Sequence, residues 1–270
     1  MGVDRFLVRF KSIDSPYYQE TRPSIDLLDT VACLWVRVVR LAGAPSLSPI
    51  IPDGCADIMI YDDAPPFVAG PDATTRWTRL REGTVIVGIR LRPGAVRAIL
   101  GCPAGLILNG GALLSDLAPG AGPLHQRLLM AASLRQRYAL LEDWVRGAIV
   151  RHATPDHAVI AACRLFVNDP QLEIGEVARR FNWNVRAIHR QFRAACGYGP
   201  KHFQRIMRIQ HAIRVVHSTT PVTLAEAAHA AGYADQPHMN RDFRDITGFS
   251  PRQYFAIDRP GWGAWMVDRW

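Results

Sequence analysis

The sequence predicts an α+β protein. A β-rich first part turns helical from about residue 113, and an all-α second part holds two helix-turn-helix units joined by a long helix. Three observations carry this reading. Short β-branched runs closed by Pro and Gly fill the early chain, and helical spacing of apolar residues replaces them later. One phrase is also written twice: "FRAACGYGPKHFQ" from Phe192 and "FRDITGFSPRQYF" from Phe243, 51 residues apart.

In chain order, "SPIIPDGCADIMIYDD", "PPFVAG" and "TVIVGIRLRPG" read as strands ended by turn residues. After Pro93-Gly94, "AVRAILG" reads as a short helix, and "LHQRLLMAASLRQRYALLEDWVRGAIVRH" carries its apolar residues at helical spacing. A boundary is expected at "HATPDH". Residues 1–153 are then one domain, residues 154–258 a second, and residues 259–270 a Trp-rich tail. Trp262, Trp265 and Trp270 of that tail are expected to dock on a neighbouring domain and couple the two, because free tryptophans are sticky.

Composition narrows the function. The net charge is +8, carried almost wholly by Arg, since Lys11 and Lys201 are the only lysines. A basic chain favours polyanionic partners, and Arg forks onto phosphate or a guanine edge. Five scattered cysteines without a C-x-x-C pair point to a reducing, cytoplasmic setting. The N-terminus lacks a signal-like apolar core, and no uncharged apolar run is long enough to span a membrane. No G-x-S-x-G elbow, phosphate-binding Walker loop, dinucleotide fingerprint or H-E-x-x-H occurs, so no enzyme and no cofactor is expected. No metal is expected either, as every histidine lies at or beyond His125. Asp53, Cys55 and Asp57 in "PDGCAD" fit a ligand cluster and equally fit a turn entering a strand. Cys55 and Cys102 are open as redox sensors or as buried structural thiols.

The repeat explains the basicity. Arg190, Phe192, Gly197, Pro200 and Phe203 align with Arg241, Phe243, Gly248, Pro251 and Tyr254, all at an offset of 51. Upstream, Ala178 and Asn182 align with Ala228 and Gly232 at an offset of 50, so one turn is a residue longer. The units run from about 172 to 194 and from about 223 to 247. In each, a first helix ends in a residue tolerant of a left-handed backbone, Asn182 or Gly232, and Asn184 or Asp235 caps the second. In the first unit Val185, Ile188, Phe192 and Ala195 form a packing stripe, while Arg186, His189, Arg190 and Arg193 form a row of donors opposite. From Val177 to Ala225 there are nine Lys or Arg and no Asp or Glu. A merely solvated face mixes signs; this one does not. In the second unit Met239, Phe243 and Ile246 pack, and Gln236, His238, Asn240, Arg241 and Arg244 face outward. Asp242 and Asp245 are expected to dilute the charge of that outward face. The segment "PKHFQRIMRIQHAIRVVHS" reads as a rod that sets the two reading helices about one DNA turn, roughly 34 Å, apart.

The motifs "EVARRFNWNVRAIHRQFRAACGYGPKHFQRIMRIQHA" and "LAEAAHAAGYADQPHMNRDFRDITGFSPRQY" resemble the DNA-binding domain of the AraC/XylS family of bacterial transcriptional regulators. The family pattern G-F-x-D-Q-S-x-F-x-R-x-F-R is met with Tyr233, Pro237 and Met239 at three of its places, and Asn182 stands for the usual turn glycine. The resemblance implies base contacts from Arg186, His189 and Arg190 and from Gln236, His238 and Arg241. It implies promoter DNA as partner, a small-molecule effector, a homodimer through the helices after residue 113, and contact with RNA polymerase in an activator. "IIPDGCADIMI", "VAGP" and "VGIRLRPGAVRAILG" resemble more weakly the cupin-like sensor barrels of such regulators, without the His ligands of metal cupins. Two alternatives remain. One is an alkylation-repair protein sharing this helix-turn-helix beside a cysteine-ligated zinc, for which Cys33, Cys55 and Cys102 form no sequence cluster. The other is a non-specific architectural DNA binder, which needs no separate β-rich domain.

Overall fold

The computed structural model describes residues 18–39, 47–152, 157–217 and 222–256. Eight strands come first: β1 (Tyr18–Thr21), β2 (Val31–Val38), β3 (Leu47–Ile50), β4 (Ala56–Tyr61), β5 (Phe67–Ala69), β6 (Arg76–Arg79), β7 (Val85–Leu91) and β8 (Gly111–Leu113). They form a six-stranded antiparallel sheet in the order β1-β2-β7-β4-β5-β8 and a two-stranded ribbon of β3 and β6. Helices α1 (Val96–Leu100), α2 (Leu114–Leu117), α3 (Gly122–Met130) and α4 (Leu134–Arg151) are interleaved with or follow them. The helical second half comprises α5 (His157–Asn168), α6 (Ile174–Arg180), α7 (Val185–Cys196), α8 (Pro200–Val216), α9 (Leu224–Ala230), α10 (Gln236–Thr247) and α11 (Pro251–Ala256). A β-rich region followed by a helical one is thus the observed class. The expected boundary at "HATPDH" and the tail beyond residue 256 lie outside the described residues.

All three strand runs read from the sequence are present, and β7 lies inside the sheet between β2 and β4. β2 was not among them, although "VACLWVRV" is apolar enough to reveal it. Alternation assigns the two faces. Leu34, Ile58, Ile60, Val68, Val87 and Ile89 point into the main core, and Cys33, Trp35, Met59, Ala69 and Ile86 form a smaller cluster on the other face. Trp35 stands opposite Gly88 across β2 and β7, and a methyl on Gly88 would come within 2.5 Å of the indole ring. Glycine is therefore needed there for space.

The main core does not stop at the sheet. It continues without a break from Leu27 and Leu91 through Cys163 and Phe192 to Phe243 and Tyr254. Among the described residues no helix is long and apolar enough to cross a membrane.

Gly88→Ala should drive a methyl into the Trp35 ring and lower stability by about 2 kcal/mol. Denaturant unfolding followed by Trp emission measures it, and an unchanged midpoint contradicts the packing.

Candidate nucleic-acid interface

The two copies of the repeated phrase fold alike down to individual contacts. The turn residue has positive φ in both, 55° at Asn182 and 80° at Gly232. The chain then folds back through Trp183 N–H to the Ala178 carbonyl (2.8 Å) and Tyr233 N–H to the Ala228 carbonyl (3.0 Å). Asn184 Oδ1 accepts from Ala187 N–H (2.8 Å) and Asp235 Oδ1 from His238 N–H (2.7 Å), so each second helix starts on a capped first turn. Each ends on a left-handed glycine, Gly197 or Gly248. At the centre of each unit two aromatic rings meet edge on: Phe192 with Phe203 at 5.6 Å and Phe243 with Tyr254 at 6.0 Å.

This packing fixes which faces of α7 and α10 remain open. Ile188, Phe192 and Ala195 are buried on α7, as are Met239, Phe243 and Ile246 on α10. Val185 departs from the expected stripe at 60% exposure, because it sits on the first turn before α7 meets its neighbours. Arg186, Arg190 and Arg193 on α7, and Arg241 and Arg244 on α10, are exposed and carry no acidic partner among the described residues. His189, Gln236, His238 and Asn240 are half-buried beside them. The His238 ring leans edge on against Tyr233, with centroids 5.2 Å apart.

Of the two acids of α10, Asp242 turns away from this surface. Asp242 is only 4% exposed and faces α8, where Oδ1 accepts from Arg205 Nε (2.8 Å) and Oδ2 lies 3.4 Å from an Arg208 nitrogen. Asp245 is exposed, yet it is held by the other arm of Arg205 at 2.7 Å. Arg208 also lies over the Tyr233 ring, 5.0 Å from its centroid. Positions 239, 242, 243 and 246 share one helical face, a spacing from which the inward turn of Asp242 was readable.

A second feature lies between the six-stranded sheet and the β3–β6 ribbon. Residues from both enclose a cavity of about 100 Å³, with Trp35, Met59 and Ile86 on its apolar side. Its polar side is built on Arg90, whose guanidinium pairs with Asp57 (3.1 Å) and Asp53 (3.5 Å), while Trp35 Nε1 donates to Asp57 at 2.8 Å. Asp72 meets Arg76 Nε at 3.0 Å on another wall. Burial raises the Asp72 carboxyl to about 6 against the pull of Arg76, and burial likewise raises Asp53 against Arg90. Asp53 and Asp57 are thus committed to an arginine, and Cys55 N–H donates to Asp53 as the chain turns into β4. Among the described residues no three His, Cys, Asp or Glu side chains are grouped to hold a metal. Burial pushes the thiols of Cys55 and Cys102 up, which gives neither the thiolate character of a redox sensor.

Two stability measurements follow from these ion pairs. Asp242→Ala leaves the Arg208 guanidinium buried beside a missing partner and should cost about 3 kcal/mol in urea unfolding. A loss below about 1 kcal/mol would show that α8 and α10 are held without it. Asp72, raised in the folded state, takes up its proton more readily folded than unfolded. Wild-type stability relative to Asp72→Asn should therefore fall as pH rises from about 4 to about 6 and then level off. A flat difference across that range contradicts the burial of its charge.

Comparison with known proteins places both halves. Residues 177–257 match a family described as a helix-turn-helix domain, and residues 19–111 match a domain of unknown function, DUF6597. The activator RhaS of Escherichia coli O139:H28 is 33% identical over 79 residues, 28% of this chain and 27% of RhaS. The transcriptional activator NphR of Rhodococcus sp is 24% identical over 208 residues, 72% of this chain and 61% of NphR. The chain therefore spans less than two thirds of either relative. Among solved structures, a probable AraC family transcriptional regulator from Rhodopseudomonas palustris aligns at 27% identity and a TM-score of 0.35, over 39% of this chain and all of that one. ToxT K231A from Vibrio cholerae aligns at 11% identity and a TM-score of 0.45, over 83% of this chain and 97% of that one. Over residues 177–257 the chain therefore matches a helix-turn-helix domain family, and it is similar to named transcriptional activators.

Proposed function

We propose that the protein is a transcriptional regulator that reads promoter DNA through α7 and α10 in successive major grooves. The observation that carries this is the exposed guanidiniums of Arg186, Arg190, Arg193, Arg241 and Arg244, which have no acidic partner among the described residues and lie on equivalent helices of a duplicated unit. Arg forks onto the guanine edge, and capped helix starts present the first-turn residues to a groove. In this reading Arg186, His189, Arg190, Gln236, His238 and Arg241 contact bases. Arg193, Asn240 and Arg244 steady the backbone. The names of RhaS and NphR, both activators, support regulation rather than architecture or catalysis.

Residues 1–153 act in the same reading as a cupin-like regulatory domain, residues 154–258 as the DNA-binding domain and residues 259–270 as a coupling tail. The sheet–ribbon cavity takes a small-molecule effector, since it joins an apolar wall to buried charged groups within one enclosure. The protein works in the cytoplasm, with a second copy of itself and, if an activator, RNA polymerase as partners.

The test is fluorescence anisotropy on the chain's own upstream DNA and on scrambled DNA over a range of salt. Arg190→Ala and Arg241→Ala should each cost about 1–3 kcal/mol on the native site and little on scrambled DNA. Equal losses on both, with only the salt slope altered, would reduce these arginines to phosphate contacts.

A further inference from the structure

Both reading helices are gripped near their C-terminal ends by the β-rich half, and the two grips are one object. On the first unit, the Leu108 side chain packs against Gly197, the cap of α7, so closely that a methyl there would lie 3.0 Å from it. Beside it, His202 in the first turn of α8 meets the Ala73 carbonyl at 2.8 Å. On the second unit, Thr75 N–H donates to the carbonyl of Ile246 in the last turn of α10 (2.9 Å), and the Trp77 ring lies 5.9 Å from that of Phe249.

The segments 70–77 and 107–110 that make these contacts are bonded to each other. Gly70 N–H donates to the Gly110 carbonyl (3.0 Å) and Asn109 N–H to the Pro71 carbonyl (3.1 Å). Asn109 Oδ1 in turn accepts from Ala73 N–H at 2.7 Å. Asn109 holds a φ of 56°, and Gly70 lies so close to the Ile107 carbonyl that any side chain on it would collide. The contacts just named fall on the C-terminal side of α7 and α10, away from Arg186 and Gln236 in their first turns.

We infer that this clamp, with Asn109 as its tie and Trp77 as its contact on the second unit, sets the spacing between the two DNA half-sites the protein accepts. The inference rests on the two-groove reading above. A rod such as α8 fixes how far apart the two units are, and its arginines hold one flank of α10, which leaves the tilt of each reading helix as the remaining freedom. A second attachment on each removes that freedom, and half-site spacing is a direct readout of the geometry that remains. These are positioning residues, remote from the bases themselves. The clamp also carries Gly70, Asp72 and Arg76 in the cavity wall, so an occupant there would act on the same element.

The experiment selects a preferred duplex from a random pool with the full chain, then inserts or deletes one base pair between its half-sites. Wild type should lose about tenfold in affinity for either change. The double variant Asn109→Gly with Trp77→Ala keeps the positive φ and touches no base-reading residue. It should lose less than about threefold on the same changes, with single half-site affinity unchanged. If it unfolds, Trp77→Ala alone, at a half-exposed site, should still relax the preference. A folded variant that keeps the wild-type spacing penalty overturns the clamp, as does a wild type indifferent to spacing. If Arg190→Ala binds the selected duplex as well as wild type, the two-groove reading itself has failed.

Discussion

Helix α8 is the part of the second half to which the rest is indexed. Its apolar side chains Phe203, Ile206, Met207, Ile209, Ala212 and Ile213 are buried, and so are the polar Gln204, Arg208 and Gln210. A buried polar group is costly unless it finds its partner, and here each finds one in a different place. Gln204 Nε2 donates to the Leu172 carbonyl at the entrance of the first unit (2.6 Å), and Gln210 Nε2 to the Pro52 carbonyl of the β-rich half (2.6 Å). Arg208 takes the Asp242 carboxylate of the second unit. A small rotation of α8 would break all three at once. Hydrophobic burial brings the pieces together, and these polar contacts choose one arrangement among those burial alone would accept.

Helices α7 and α10 were visible in the sequence because their folding is local. Caps, a left-handed turn residue and a terminal glycine act within a few positions, and the duplication at an offset of 51 shows them twice. What depends on distant partners was less legible. Val185 continues the apolar spacing of α7 yet stands 60% exposed. The cavity draws its lining from Trp35 to Arg90, spread over six strands, and no short motif announces it. Asp242 is the instructive case. Its residue type suggested solvent, its helical position indicated the packed face, and position prevailed because Arg205 and Arg208 were there to receive it.

The charge arrangement follows from the same contrast. Arginines that meet acids are tied to other parts of the chain: Arg205 and Arg208 bind helix to helix, Arg90 closes the polar side of the cavity, and at the surface Arg164 ties α5 to Asp29 at 2.9 Å. Those on the open faces of α7 and α10 have no such partner among the described residues, so their field projects outward. A net charge summed over the chain hides this division.

The unbroken core from Leu27 to Tyr254 has a consequence for how such a protein can change over generations. A helical half joined to the rest by a bare tether can be exchanged for another by recombination, since only the tether must survive. Here the exchange would strip Leu108 of Gly197, Gln210 of Pro52 and Trp77 of Phe249. The two halves of this chain are therefore expected to be inherited together, with substitutions on one side of the seam answered by substitutions on the other.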